Sequence, residues 1–206
     1  MKEIKNKKIN YSFFHWGPYL YKTTLTKDEL KDIKNLCVKD PKKDTRKNLA
    51  GLIKHEYEID RTKLFSILLP YFESYAKGYQ DYSGKNFGKE VELISSWVNY
   101  MTKFESNPIH THDEDMSFVI FTQIPKELKQ QWNDTVSSGT KPGSLNFMIS
   151  LTNDKTSINQ HTFQPNEGDF YIFPADLNHF VNHFETNGER VSVSGNLKIK
   201  NERKNS

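Results

Sequence analysis

The chain has 206 residues, of which 35% are hydrophobic and 13% aromatic. This is enough for one domain with a hydrophobic core, and the aromatic content excludes an intrinsically disordered protein. The formal net charge of +3 comes from lysine-rich ends at 2–8 and 198–206, while the sequence between them is mildly acidic. A nucleic-acid-binding protein would concentrate positive charge on its folded surface, so this distribution argues against a nucleic-acid partner.

The first third of the chain is predicted to begin with aromatic, β-prone residues and then to become helical. The aromatic stretch Tyr11–Tyr21 is interrupted by a Gly-Pro turn signal. Thr26 is a suitable N-cap for a helix over Lys27–Lys39, in which apolar residues recur at helical spacing. A second helix is predicted over Asp60–Tyr79, where Pro70 is expected to introduce a kink.

From residue 90 onward the pattern changes to short strands separated by turn signals such as Asn187-Gly188. Asp134–Gly143 is a polar segment with Gly and Pro and is predicted to be a loop. Several short strands at this spacing are typical of a sandwich, barrel or jelly roll. The strands are predicted at Leu93–Met101, Met116–Phe121, Leu145–Leu151, Asp169–Phe173 and Arg190–Ile199.

The single cysteine and the lack of a long apolar segment bear on the cellular compartment. Cys37 cannot form an intramolecular disulfide, and its apolar neighbours indicate a small buried residue rather than a nucleophile. No apolar run approaches the ~20 residues that span a bilayer. The residues from Met1 onward lack the apolar stretch of a secretory signal. These features predict a cytoplasmic protein that makes no contact with a membrane.

Two histidines lie two residues apart, at His110 and His112. Residues i and i+2 of an extended chain point to the same side, so both imidazoles could reach one metal ion. A pair of this kind is also compatible with a polar loop between strands. The pair alone therefore does not decide between a metal site and a loop.

A later segment adds a third histidine and an arginine. An apolar strand ends at Pro174, His179 follows, and Arg190 comes eleven residues after His179. In an extended chain Arg190, Ser192 and Ser194 share one face, from which Arg190 could form a two-pronged pair with a carboxylate. The alternative for Arg190 is a solvent-facing strand edge.

The order of these motifs resembles the 2-oxoglutarate/iron(II) oxygenase superfamily, and the resemblance extends over roughly residues 90–200. The shared order is a His-x-His or His-x-acid pair, a distant strand ending in Phe-Pro and followed by His, and Gly-Glu-Arg-x-Ser about ten residues later. The chain looks most similar to oxygenases of tailed marine bacteriophages. That similarity rests on the segments Trp16–Pro18, Trp97–Asn99, His110–His112, Ser117–Phe121 and Arg190–Ser194.

The resemblance implies a role for each matching residue. His110 and His179 would be the proximal and distal iron ligands, and Arg190 with Ser192 would hold the far carboxylate of 2-oxoglutarate. Members of the superfamily usually have Asp or Glu at the position of His112, so this chain departs from the common triad of two histidines and one carboxylate. We take His112 as the third ligand. Three alternatives remain for the third ligand. Asp113 could take the place of His112, or Glu114 could do so. The motif could also begin at His112, with Glu114 as the acid two residues later.

The resemblance also implies the fold and the reaction. The fold would be α+β in a single domain over 1–206, with a cupin-like jelly roll (double-stranded β-helix) at 90–200 and the mostly helical residues 1–89 packed on it. The protein would be an iron(II)- and 2-oxoglutarate-dependent dioxygenase. It would hydroxylate a small molecule or a protein side chain while converting 2-oxoglutarate to succinate. If the chain is phage-encoded, it would act in the host cytoplasm.

Two other interpretations compete with this one. A cupin-type metalloenzyme could use three histidines without 2-oxoglutarate, and a non-enzymatic jelly-roll binding or virion module could carry the histidines as loop residues. The remaining histidines are not expected to join the site, and three aromatic residues are expected to be core. These histidines are His15, His55, His161 and His183, and the aromatic residues are Phe121, Phe147 and Phe173.

Overall fold

The computed structural model describes residues 17–88, 90–136, 139–150 and 158–200. The basic segment 2–8, His15 and most of the aromatic stretch that begins at Tyr11 lie outside the described residues. The helices are α1 (Lys27–Leu36), α2 (Arg61–Ser83) and α3 (Lys126–Asp134), with short 3-10 turns at Pro41–Lys43 and Arg46–Asn48. The strands are β1 (Tyr21–Thr24), β2 (Glu56–Glu58), β3 (Glu90–Met101), β4 (Asn107–His110), β5 (Met116–Gln123), β6 (Leu145–Met148), β7 (Gln160–Phe163), β8 (Asp169–Pro174), β9 (Asn178–Val181) and β10 (Arg190–Lys200).

The strands form two antiparallel sheets. The major sheet has six strands in the order β1-β8-β5-β10-β3-β2, and the minor sheet has four in the order β4-β9-β6-β7. Apart from the consecutive pairs β2-β3 and β6-β7, strands adjacent in these sheets are distant in sequence, which is the connectivity of a jelly roll. The predicted α+β jelly roll is confirmed.

Strand β10 lies in the middle of the major sheet and pairs with β3 along its whole length and with β5 over most of it. Successive side chains of a strand point to opposite faces. Val191 and Val193 therefore enter the hydrophobic core on one face of the sheet. Arg190 and Ser192 point to the other face, toward the minor sheet.

Helices α1 and α2 are capped by the residues that precede them. Thr26 and Glu29 form a reciprocal capping box at the start of α1, and Asp60 accepts a hydrogen bond from the Lys63 N–H at the start of α2. Helix α1 ends earlier than predicted, because Cys37 is extended. Helix α2 continues four residues further than predicted and contains Pro70 without interruption. In the described residues, no helix is both long and apolar enough to cross a membrane.

The N-terminal third also contributes strands, which the sequence patterns did not predict. Strands β1 and β2 form the two edges of the major sheet. Helix α3 was also missed, although Leu128 and Trp132 lie four residues apart and are both buried. Among the predicted strands, β6 ends at Met148 and not at Leu151, which lies outside the described residues.

Two hydrophobic cores lie on opposite faces of the major sheet. The first joins the sheet to α1 and α2 through residues such as Leu64, Leu68 and Phe72. The second fills the space between the sheets and includes Phe121, Phe147 and Phe173, as expected. Partial burial of the Cys37 thiol raises its pKa to about 12, so this cysteine is not an activated nucleophile.

Candidate metal and co-substrate site

The three predicted histidines lie together at one end of the space between the sheets. His110 on β4 is the cross-strand neighbour of His179 on β9. His112 follows in the next loop, which is held by a hydrogen bond from the His112 backbone N–H to the Ala175 carbonyl (2.9 Å). The nitrogen donor atoms of the three imidazoles all lie within 4.8 Å of one another.

Hydrogen bonds set the tautomers of two of these imidazoles. Nδ1 of His110 lies 2.7 Å from the Pro108 carbonyl oxygen, and Nδ1 of His179 lies 2.9 Å from that of Leu177. A carbonyl oxygen can only accept, so both Nδ1 atoms must carry the proton and donate it. Each Nε2 is left with a free lone pair, which is the arrangement that metal-ligating histidines adopt.

Burial keeps the imidazoles neutral. It lowers the pKa of His110 below its usual range, that of His112 to about 4 and that of His179 to about 3, and the neighbouring imidazole of His110 lowers the latter two further. At neutral pH the three rings therefore offer lone pairs rather than positive charges. Such a set of nitrogen donors suits a divalent transition metal.

The alternative acidic ligands lie outside this cluster. Among the described residues, the set of side chains close enough to hold a metal consists of His110, His112 and His179. Asp113 is exposed, and it lines an outer cleft together with Glu114. The other described histidines, His55, His161 and His183, are exposed and lie outside the cluster.

Arg190 is a buried cation without an anionic partner in the described part of the chain. Its side chain is 2% exposed, and its guanidinium carbon lies 4.6 Å from the centre of the Phe121 ring. Its Nη1 approaches the Met101 sulfur at 3.8 Å, and its Nε has no hydrogen-bond partner. Burial lowers the Arg190 pKa to about 9, so the group remains charged at neutral pH. Arg190 does not face solvent, which rules out the strand-edge alternative.

A single cavity connects the histidines to Arg190. Its polar lining includes Ser192 and Ser194, as predicted from their alternation with Val191 and Val193, and its walls are otherwise largely apolar. Asn99 on β3 and Asn107 on β4 also line the cavity, and no role was predicted for them. For Asn99 a signal was present, because the alternation of strand residues places it on the same face as Trp97 and Met101.

The residues of this cavity fit 2-oxoglutarate and a divalent metal. The co-substrate is an elongated dianion with a carboxylate at each end and a keto group beside one of them. The lone pairs of the imidazoles suit a metal at one end of the cavity, and the unpaired guanidinium of Arg190 suits a carboxylate at the other.

A second, polar cleft opens on the outer side of the same histidines. It has a volume of about 590 Å³ and shares His110, His112 and Trp97 with the inner cavity. The remainder of its lining is mainly polar and includes Glu58, Asn48, Thr45, Arg61, Ser95, Thr111, Asp113, Glu114 and Asn196. Its size is in the range of small-molecule sites in proteins.

Solved structures share the fold of this chain at low sequence identity. A viral collagen prolyl hydroxylase from Paramecium Bursaria Chlorella virus-1 superposes with a TM-score of 0.56 and 10% identity, over 89% of this chain and 98% of that one. A prolyl-4-hydroxylase from Pseudomonas putida gives 0.53 and 12%, over 88% and 92%. A 2OG-Fe(II) oxygenase family oxidoreductase from Burkholderia pseudomallei gives 0.52 and 16%, over 87% and 85%.

Sequence comparison supplies the functional class. No curated protein matches the chain closely enough to indicate common descent. Residues 95–196 match the family described as "Putative 2OG-Fe(II) oxygenase", and this segment contains the three histidines, Arg190 and Ser192. The match does not favour the cupin-type alternative or the non-enzymatic one. The protein is a 2-oxoglutarate- and iron(II)-dependent oxygenase.

Proposed function

We propose that His110, His112 and His179 hold the iron and that Arg190, assisted by Ser192, holds the far carboxylate of 2-oxoglutarate. The observation that carries this assignment is the buried guanidinium of Arg190, which no described carboxylate neutralises. An unpaired charge is costly to bury, so its presence across a cavity from three neutral imidazoles indicates a missing anionic partner.

When bound, iron(II) and 2-oxoglutarate supply the oxidising chemistry, in which the co-substrate is converted to succinate. The chain supplies binding and orientation. The Phe121 ring restricts the guanidinium of Arg190, so the co-substrate is fixed in one direction with its keto end toward the histidines. Apolar side chains such as Val119, Leu145 and Phe173 line the cavity and exclude water.

We propose that the substrate enters through the outer polar cleft and is hydroxylated next to His110 and His112. The cleft is open and mainly polar, which suits a polar small molecule or a polar protein side chain. The resemblance of Trp97–Asn99 and Arg190–Ser194 to oxygenases of tailed bacteriophages supports a phage origin. The enzyme would then act in the host cytoplasm.

The Arg190 assignment is tested by measuring 2-oxoglutarate affinity calorimetrically, without oxygen and with manganese(II) in place of iron. Arg190→Met should weaken binding by about a hundredfold or more, because it removes one partner of a buried charge pair. The melting temperature of the ligand-free variant should not fall, since an unpaired buried charge is removed. Arg61→Ala, which changes an arginine of the outer cleft, is the matched control and should bind normally. Equal affinity for wild type and Arg190→Met would refute the role of Arg190.

A further inference from the structure

The outer cleft carries more negative charge than the described residues around it neutralise. Its described lining contains three acids, Glu58, Asp113 and Glu114, and one cation, Arg61. No salt bridge of the described residues includes any of these three carboxylates, and the Arg61 guanidinium donates to the Ile94 carbonyl oxygen. Three negative charges and one positive charge leave the lining with a net charge of −2 while the imidazoles are neutral.

The three acids lie beside the proposed metal ligands and come from two parts of the chain. Glu58 on β2 is the cross-strand neighbour of Trp97 on β3, so their side chains point to the same face of the major sheet. The centre of the Trp97 ring is 5.9 Å from that of the His112 ring. Asp113 and Glu114 directly follow His112 in the chain. The negative charge is therefore placed where a substrate would approach the metal.

A buried amide with a free donor group opens into the same cleft. Asn196 on β10 is 6% exposed and lines the cleft. Its Oδ1 accepts a hydrogen bond of 2.8 Å from the Ser117 hydroxyl, which has no other partner among the described residues. Rotating the amide would leave the Ser117 hydrogen without an acceptor, so Oδ1 is fixed toward Ser117. Nδ2 has no acceptor in the described part of the chain and is not enclosed by protein, so it can donate to a ligand in the cleft.

Asn196 is too far from Arg190 to belong to the co-substrate cavity. Arg190, Ser192, Ser194 and Asn196 alternate along one face of β10, and the first three line the inner cavity while Asn196 lines the outer cleft. At ~3.3 Å per residue, the Cα atoms of Arg190 and Asn196 are about 20 Å apart along the strand. 2-Oxoglutarate, with five carbons, cannot extend over that distance. The Asn196 amide is therefore available to a different ligand, which is the substrate.

We infer that the outer cleft binds a basic amino acid, free or within a peptide. Its ammonium or guanidinium group faces Glu58, Asp113 and Glu114, and its carbonyl oxygen accepts a hydrogen bond from Asn196. This inference rests on the proposed function, which places the substrate in this cleft. The carboxylates select a positive charge, and the amide donor selects an oxygen acceptor. The aliphatic carbons between the two groups supply the carbon–hydrogen bonds to be hydroxylated.

The test compares the affinities of the full chain for blocked amino acids that differ in charge. Nα-acetyl-arginine amide is paired with the uncharged Nα-acetyl-citrulline amide, and Nα-acetyl-lysine amide with Nα-acetyl-norleucine amide. Binding is measured by calorimetry without oxygen, in the presence of manganese(II) and 2-oxoglutarate. In at least one pair the charged member should bind roughly tenfold more tightly, and added salt should reduce this preference.

Two further measurements locate the probe and identify its source. Manganese(II) is paramagnetic, so it should broaden the NMR lines of a charged probe bound in the cleft, whereas zinc(II) should not. Free arginine and free lysine are measured beside the blocked forms. Tighter binding of the free forms would identify the amino acid itself as the substrate, and tighter binding of the blocked forms would identify its residue in a peptide.

Variants separate the contribution of the acids from that of the amide. The combined variant Glu58→Gln, Asp113→Asn and Glu114→Gln should lose the preference for the charged member and retain its affinity for the uncharged one. Asn196→Ala should instead weaken both members of a pair equally, by about three- to tenfold, because both carry the same carbonyl oxygen. If Asn196→Ala does not fold, Asn196→Ser replaces it under the same criterion, since the shorter hydroxyl can pair with Ser117 but does not extend into the cleft.

Each kind of variant has a matched control outside the cleft. Asp32→Asn removes an exposed carboxylate from α1, on the opposite face of the major sheet, and should leave the preference for charge unchanged. Asn146 is as buried as Asn196, but its amide is paired with Ser144 and Thr162, and it does not line the cleft. Asn146→Ala should lose thermal stability and keep its affinity for every probe.

The outcomes separate this inference from the assignment on which it rests. If 2-oxoglutarate binding depends on Arg190 but no charged probe binds more tightly than its uncharged partner, the inference alone is overturned. A preference that persists in the combined acid variant, or a bound probe that manganese(II) does not broaden, would overturn it as well. Unchanged affinities in Asn196→Ala would overturn the role of Asn196. Normal 2-oxoglutarate binding by Arg190→Met would overturn the proposed function and, with it, the assignment of the cleft to the substrate.

Discussion

His112 occupies a position where a carboxylate would add a negative charge to the metal site. Three neutral imidazoles leave iron(II) with its full double charge, whereas one carboxylate would reduce it. Burial holds the His112 pKa at about 4, so the ring can bind metal over the whole neutral range. The backbone hydrogen bond from the His112 N–H to the Ala175 carbonyl fixes the His112 loop in the metal-free protein.

The third ligand can be identified by titrating iron(II) anaerobically against a coloured chelator. His112→Ala should lower iron affinity by more than the roughly 10- to 100-fold that loss of an outer hydrogen-bond partner costs. His112→Asp should retain iron, because it creates the more common triad. Asp113→Asn and Glu114→Gln are matched controls on the same loop and should leave the affinity unchanged. If Glu114→Gln lost most of its iron(II) affinity and His112→Ala lost none, the third ligand would be Glu114 and not His112.

Single residues differ in how much of their position can be read from sequence. The alternation of Arg190, Ser192 and Ser194 with Val191 and Val193 is sufficient to predict that the former share a face. Their burial is not predictable from that pattern, because it depends on the minor sheet that covers them. The pairing of an Asn99 or Asn107 amide likewise depends on strands distant in sequence. The roles of the histidines, Arg190 and Ser192 in binding stay predictions.

At the scale of elements, the long strands are predictable, whereas β6 is the one strand of three or four residues in the described structure that was predicted. Strands β3, β5, β8 and β10 are long enough to show apolar runs or alternation bounded by turns. Strands β4 and β9 have four residues each, too few for a period of two to stand out. Strands β1 and β2 were missed because their pairing with the major sheet joins distant parts of the chain. Helix α3 has Pro125 as its N-cap residue, which provides no side-chain hydrogen bond, so the usual start signal is absent.

Strand β10 is packed so closely that it requires a glycine at its centre. A Cβ atom on Gly195 would lie 2.6 Å from the Ser95 carbonyl oxygen and 2.7 Å from the Phe118 ring. Gly195→Ala should therefore force β3 and β5 apart and lower the free energy of unfolding by about 2–3 kcal/mol. Urea unfolding measures this change.

Gly84→Ala is the comparison for Gly195→Ala. Gly84 ends α2 with a φ of +69°, and a Cβ atom added to it would meet nothing within 4 Å. Its replacement should cost only about 1 kcal/mol, through backbone conformation. If Gly195→Ala cost no more than Gly84→Ala, the close packing of β10 against Ser95 and Phe118 would not limit stability.

At the scale of the whole molecule, one buried carboxyl group should make stability depend on pH. Burial and the nearby charge of Glu105 raise the pKa of Glu56 to about 8. The folded state therefore binds more protons than the unfolded state between about pH 4.5 and pH 8. The contribution of Glu56 to the free energy of unfolding is fully present below this window and is lost as the pH rises through about 8.

Glu56→Gln should remove that dependence, since an amide does not ionise. We expect the variant to match the wild type at about pH 5 and to be more stable by about 1–3 kcal/mol at about pH 8.5, as measured by urea unfolding at both values. Glu58→Gln changes an exposed residue of the same strand and should leave the free energy of unfolding unaltered at both pH values. Parallel pH profiles for wild type and Glu56→Gln would contradict the assignment.

The two walls of the co-substrate cavity differ in how firmly the backbone holds them. Arg190 and Ser192 project from a strand that is hydrogen-bonded on both sides at the centre of six, whereas His110 projects from β4, a four-residue edge strand with an irregular ladder to β9. Local opening should begin where the ladder is shortest. Iron held by the three histidines would then link β4 to β9 and to the His112 loop. Its departure would loosen that side while the arginine stays in position for the next molecule of 2-oxoglutarate.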